Sequence, residues 1–439
     1  MRGAIAAGHP LTAAAGAAVL EAGGNAVDAC VAAAFVSWVT ESMLTGPGGG
    51  GFMLVHAGGV TRVFDGFVAV PRAPEEAELL ALEVDFDGDT KQVFHTGPGA
   101  AGVPGTALCL EEAHRRFGSL PWAELAAPAA ALARAGVVLT PAQGYLHKIL
   151  DGLLRHSPEG DAMYGGRALR AGETLRLPEL ADTIDRIAAG GARVIYDGDL
   201  PFSREELEAY AVIERAPLEA PFRGCTFLSN PPPSSGGSLI AVGLEALGDD
   251  LDVLRAFETM EAARVPTVGG TTHISVVDTV GDAASLSCSL GSGSGVVVSG
   301  TGIHLNNMLG EADLAGDARP GERLTSMMAP SLVVEGGRPR LVVGSAGSER
   351  LRGAVLQVVA NVVARGMGVE DAVGAPRMHL ERGVVHCEPG VGAVVPADAV
   401  RWGDRNLYFG GVSAVELRSD GSMAAAGDPR RGGAGVVVG

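Results

Sequence analysis

The chain has 439 residues and a formal charge of −18, with 47% hydrophobic residues, only 5% aromatics and 65 glycines. With no basic run, that balance argues against nucleic acid or an anionic membrane as partner and fits a small-molecule substrate, and the interior is expected to be packed with Ala, Val and Leu around many tight turns. Five dispersed cysteines (Cys30, Cys109, Cys225, Cys288, Cys387) form no Cys-x-x-Cys pair, so neither a disulfide framework nor a zinc site is expected.

Met1 to Pro10 carries one positive charge and no sustained apolar run, which reads as folded protein with no secretory signal, no membrane span and a cytoplasmic location. Residues 11–22 are alanine-rich and close on Gly23-Gly24, the pattern of a buried helix with a glycine stop. Asn25 is placed to cap the next helix, residues 26–39, apolar on nearly every side and therefore interior. Gly48-Gly49-Gly50-Gly51 leads into strands at 52–55 and 61–64. It lacks the Gly-Lys-Ser/Thr ending of a phosphate loop and precedes a strand, so close backbone approach beneath a buried site is the better reading.

Residues 71–90 read as an acidic loop. Helices are expected from Gly102-Val103-Pro104-Gly105-Thr106 to about Phe117 and from Trp122 to Ala135. Residues 140–220 read as short amphipathic helices, and Pro231-Pro232-Pro233-Ser234-Ser235-Gly236-Gly237 as a rigid loop feeding a helix near Ser238. Residues 247–270 show little pattern. After them come strands at 274–279, 284–290, 295–298, 331–335, 340–343, 384–387 and 412–417, with one helix at 349–364.

The change of texture falls at Gly269-Gly270-Thr271-Thr272-His273. Cleavage before Thr271 would expose a threonine that carries its own base, because an α-amine with a pKa of roughly 8 can take the hydroxyl proton. A glycine turn entering a strand is the plainer alternative from local pattern. A Ser/His/Asp triad through His273 has no nucleophile elbow to support it, and His9, His304, His379 and His386 lack metal-ligand spacing, so no metal and no cofactor is expected. Ser234 and Ser235 read as turn-capping hydroxyls.

Seven separated motifs, in order along the chain, resemble the γ-glutamyltransferase family of N-terminal-nucleophile hydrolases. They are Glu21 to Ala29, Gly48 to Leu54, Gly102 to Thr106, Pro231 to Gly237, Thr271 to Asp278, Leu305-Asn306-Asn307, and Asp428 to Ala434. The resemblance implies a four-layer αββα sandwich, cleavage into residues 1–270 and 271–439 that stay together as a heterodimer, and an acyl-enzyme on Thr271. It implies an oxyanion hole at Gly347 and Ser348 and a second hydroxyl at Ser289, where a threonine is usual. The family's carboxylate-binding serines fall on Thr325 and Ser326, and Asn307 is a further expected substrate-binding residue. Its amine-binding asparagine, glutamine and aspartate fall on Gly291, Met308 and Glu311.

The family's arginine has no counterpart in Phe64 to Pro71, and Arg72 is a doubtful substitute. A carboxylate without its guanidinium loses a charge-assisted pair worth about 2 kcal/mol. The expectation is an intracellular specialist that retains the threonine chemistry on another acyl-like substrate. The family includes pathway enzymes associated with alkylproline antibiotics and with cleavage of a C–C bond next to a carbonyl. An ordinary γ-glutamyl hydrolase and a non-catalytic binding descendant are the alternatives.

Overall fold

Every residue of the strands Thr272–Asp278 and Ala283–Ser289 is buried, which requires cover on both faces of their sheet. The computed structural model, which describes residues 2–72, 78–85, 91–263, 271–310, 319–392 and 395–439, supplies that cover. The sheet has seven antiparallel strands in the order Ala434–Val438, Gly3–Ala7, Thr272–Asp278, Ala283–Ser289, Gly50–Ala57, Val60–Gly66, Ile213–Arg215. A second antiparallel sheet runs Met423–Gly427, Gly411–Leu417, Arg338–Ala346, Ser331–Glu335, Cys225–Ser229, Leu218–Phe222.

Side chains alternate across each strand, and that period of two builds three apolar layers. Ile5, Met53, Ile274, Val276 and Leu286 face the helices Pro10–Glu21, Ala26–Thr40, Thr106–Phe117, Trp122–Ala135 and Pro178–Gly190. Ala4, Ala6, Leu54, Val277 and Ala283 meet Leu228, Leu332, Val342 and Val415 between the sheets. Phe227, Val333, Leu341 and Val343 face Gly236–Ala246, Val253–Ala262, Leu351–Val359 and Val369–Gly374. The result is the expected αββα sandwich. Alanines in the middle layer let the sheets lie close, which is where a chain poor in aromatics finds its packing.

Helix starts follow local chemistry. Asn25 Oδ1 accepts from the Val27 and Asp28 N–H groups, and Asp28 accepts from the Asn25 N–H, a reciprocal cap on a helix buried along its whole length. Several elements differ from their sequence patterns. Leu80–Asp85 pairs with Lys91–Thr96 where a loop was expected. Ile213–Arg215 and Leu218–Phe222 are strands at the end of a region read as helical, and Val253–Ala262, capped by Asp252, is a helix in a stretch read as unpatterned. Gly3–Ala7 is a central strand buried on both faces, so it has no alternation to betray it. Strands from before and after residue 271 therefore interleave in both sheets. Among the described residues no helix is long and apolar enough to cross a membrane.

Candidate active site

Thr271 is buried directly before Thr272–Asp278, a strand paired on both sides in the middle of the sheet. The pairing Thr272 with Cys288, continued by one residue, sets Ser289 opposite Thr271. Thr271 and Ser289 share a cavity with Ser326 and Ser348, walled by Phe67, Met308, Met327, Met328 and Leu351. A second cavity touches Thr271 from another side and is lined by His9, Glu41, Thr272 and Arg431, among others.

The floor is the glycine run. A Cβ on Gly49 would lie 2.3 Å from the Ser289 carbonyl oxygen, one on Gly48 2.2 Å from that of His304, and one on Gly50 2.7 Å from the Val68 nitrogen. Close backbone approach, as the sequence suggested, is what these glycines permit. Asn306 fastens three of the motifs together. Its Nδ2 donates to the Gly48 and Gly102 carbonyls at 2.9 and 2.8 Å, and its Oδ1 accepts from the Gly102 and Met308 N–H groups at 3.0 and 3.3 Å. The Gly105 and Thr106 N–H groups add bonds to the Gly49 carbonyl.

Gly347 and Ser348 turn sharply at the end of Arg338–Ala346, with φ of 128° and 54°. A left-handed serine is strained by about 1 kcal/mol or more, and such strain collects where backbone N–H groups must be aimed. A side chain on Gly347 would come within 2.8 Å of the Gly410 Cα. Ser348 faces the Thr271 cavity, where the resemblance puts the oxyanion hole.

The predicted substrate-binding residues are not all gathered here. Met308 and Ser326 line the cavity, and Ser326 Oγ accepts from the Met328 N–H. Ser234 Oγ and the Ser235 N–H donate to the Ser326 carbonyl, so the proline-rich loop positions this wall. Ser289 Oγ accepts from the Gly291 N–H at 2.8 Å, closing a turn in which Gly291 has a φ of 67°. Thr325 instead donates to the Pro233 carbonyl, and the Asn307 amide is spent on Ser292, as donor to its Oγ and acceptor from its N–H. Glu311 lies outside the described residues. Arg72 is at the surface, forked onto Glu205. Sequence reasoning overlooked Phe67, Met327, Met328 and Leu351, and also Glu41 and Arg431. The pair Met327-Met328 directly after Ser326 was the available signal, but the serines drew the attention.

His273 lies between the sheets, not at the reacting centre. Ser275 Oγ donates to the Ser413 carbonyl, so it accepts from His273 Nε2–H, and Nδ1 accepts from Ser287 Oγ at 2.8 Å. The ring is a neutral tie between strands. A Cβ on Gly344 would sit 2.3 Å from it, so Gly344 makes its room in the facing sheet.

Burial holds His9, His147 and His304 at about 4 and His273 at about 3. The unfolded chain protonates the same rings below about 6.5, so between about pH 6.5 and 4 it binds more protons than the fold. Stability then falls with pH through that window, by about 1.4 kcal/mol per pH unit for each ring. Glu41, raised to about 7 by burial, acts with the opposite sign and offsets one of the four. Urea midpoints at pH 7, 6 and 5 are expected to decline steeply, and a flat profile would show these rings to be charged in the fold.

Sequence comparison agrees with this geometry. A profile of the family described as Gamma-glutamyltranspeptidase matches residues 12–262 and 245–438. The chain belongs to the gamma-glutamyltranspeptidase family. Among relatives, the glutathione hydrolase proenzyme of Pseudomonas aeruginosa is 31% identical, with 99% of this chain and 94% of that protein covered. The acylase ACY 1 proenzyme of Pseudomonas sp. strain SE83 is 30% identical, over 100% of this chain and 94% of that protein. The cephalosporin acylase of Bacillus halodurans shares the fold, with a TM-score of 0.85 over 99% of this chain and 95% of that one at 23% identity. Membership makes this chain an enzyme of the N-terminal-nucleophile hydrolase class. In this chain Thr271 lies beside a methionine-rich wall.

Proposed function

We propose that the chain cuts itself between Gly270 and Thr271 and then acts as a threonine acylase on an uncharged, largely apolar acyl group. Thr271 Oγ1 adds to the substrate carbonyl while its proton passes to the freed α-amine. Backbone N–H groups at Gly347 and Ser348 hold the oxyanion. Collapse expels the leaving group with that proton, and water then hydrolyses the ester on Thr271. The same attack serves a C–C bond next to a carbonyl, with a stabilised carbanion departing in place of an amine, as in biosynthetic intermediates of alkylproline antibiotics.

The observation that carries the substrate reading is the wall of Phe67, Met308, Met327, Met328 and Leu351, relieved among the described residues by the hydroxyl groups of Ser289, Ser326, Ser348 and Thr271. A glutamyl group would bring an ammonium and a carboxylate against that wall, and each buried charge without a partner costs several kcal/mol. A chain of methylenes gains about 0.8 kcal/mol for each one buried, and methionines adapt to its shape. On p-nitroanilides, kcat/KM for a hexanoyl group is expected to exceed that for a γ-glutamyl group by about 100-fold, or about 2.7 kcal/mol. Equal or better turnover of the γ-glutamyl compound would restore the ordinary γ-glutamyl hydrolase.

A further inference from the structure

In the reaction proposed above, the Thr271 amine is protonated in every cycle until the leaving group takes the proton. The second cavity at Thr271 carries one group suited to that charge. Glu41, the C-terminal cap of Ala26–Thr40, accepts a hydrogen bond from Thr272 Oγ1 at 2.8 Å. Its other oxygen, Oε2, has no hydrogen-bond partner among the described residues, and neither do His9 Nε2 and Arg431 Nε. All three residues line this cavity with Thr271. His9 Nδ1 already accepts from the Leu11 N–H, so its Nε2 is a donor like Arg431 Nε, and Glu41 Oε2 is the unmatched acceptor of the three. Gly8 keeps the cavity open, since a Cβ there would fall 2.5 Å from Glu41 Oε1 and 3.1 Å from Thr272 Oγ1.

The surrounding charges leave Glu41 as the acceptor. Burial raises its carboxyl to about 7, against the hydrogen bond from Thr272 and the charge of Arg431. Arg431 faces it from the C-terminal turn, packed so closely that a Cβ on Gly411 would lie 2.4 Å from its Cδ. Asp428 lines the same cavity but is committed to Arg377 at 2.7 Å and to Arg430. His9, capping Pro10–Glu21, is neutral through burial, and the Cys288 thiol on the neighbouring strand is raised to about 12, burial being the main cause. From the covering helix, Gln143 turns its amide to the Thr40 carbonyl.

We propose that Glu41 is the positioning residue for the Thr271 amine: it holds Thr272 in place and supplies the carboxylate that faces the α-ammonium. The proposal rests on the self-cleavage reading, because only a cut chain has the amine. As the bond from Thr271 Oγ1 to the acyl carbon forms, the hydroxyl proton moves to the amine nitrogen. When the bond to the leaving group breaks, the proton departs with that group and Glu41 is unchanged. A triad carboxylate stands in the same relation to its imidazolium.

Titration of the amine tests this. Processed protein is treated with potassium cyanate across about pH 5 to 9, and carbamylation of Thr271 is read by mass spectrometry. Glu41→Gln is expected to lower the amine's midpoint by about one pH unit, and Glu41→Asp to keep it near the original value. Identical midpoints in the unaltered protein and in Glu41→Gln overturn the proposal while leaving self-cleavage intact. A protein with no free Thr271 amine overturns both. Should Glu41→Gln not fold, the Glu41 carboxyl is followed by 13C NMR in cut protein and in uncut Thr271→Ala. Its midpoint is expected to be lower in the cut form, and equal midpoints overturn the proposal.

Discussion

Thr271→Ala is expected to remain a single chain of 439 residues, while the unaltered protein separates on a denaturing gel into residues 1–270 and 271–439. Both the cut and the later chemistry need a hydroxyl at this one position, so a methyl group removes them together. Loss of a nucleophile costs on the order of 10^6 in turnover where a complete catalytic unit is disabled, and any residue of activity then comes from binding and the oxyanion hole. Thr271→Ser keeps a hydroxyl on the same backbone and is expected to cut, more slowly. The fold should survive in each case, since the strand that follows, Thr272–Asp278, is paired with both neighbours independently of the side chain at 271. N-terminal sequencing of the small fragment locates the cut. A fragment beginning elsewhere, or a Thr271→Ala protein that is still cut, would end the assignment.

Asn306→Leu is expected to lower stability by about 3–5 kcal/mol, a large share of the 5–15 kcal/mol that ordinarily holds a fold. The side chain satisfies four backbone groups, the Gly48 carbonyl, both polar groups of Gly102 and the Met308 N–H. Leucine has nearly the right size but answers none of them; the Gly48 carbonyl keeps the backbone N–H of residue 306, and each of the other three groups left alone costs about 1–3 kcal/mol before relaxation. Relaxation is restricted because Gly48 and Gly49 already touch opposing carbonyls. Thr325→Ala, which loses one bond to the Pro233 carbonyl near the surface, serves as the comparison and should change stability by about 1 kcal/mol. Denaturant unfolding in the uncut Thr271→Ala background keeps both measurements on a single chain. Equal effects of the two substitutions would deny Asn306 its linking role.

Elements with a local signature were legible. The cap at Asn25 and the glycine stop after Ala135 put helix ends within a residue of their places, and Gly48 to Gly51 announced a close approach. Gly3–Ala7 was hidden because a strand covered on both faces loses its alternation. Ile213–Arg215 was hidden because three residues at a sheet edge make too short a pattern. Within the candidate site the same division holds. Thr271, Ser289, Met308 and the Gly347-Ser348 turn stand out from their motifs, whereas Phe67, Met327, Met328 and Leu351 look like ordinary core residues until the fold brings them to one wall.

By itself the sequence determined the family and the order of the layers and singled out Thr271 as the residue proposed to react, since these are written in motifs a few residues long and in the periods of helix and strand. What Thr271 faces was decided by tertiary structure. Glu41 lies 231 positions before Thr272 and yet takes its hydrogen bond, and Asn306 joins Gly48 from 258 positions away. Such contacts arise from stacked layers and paired strands, which place residues by packing and not by spacing along the chain.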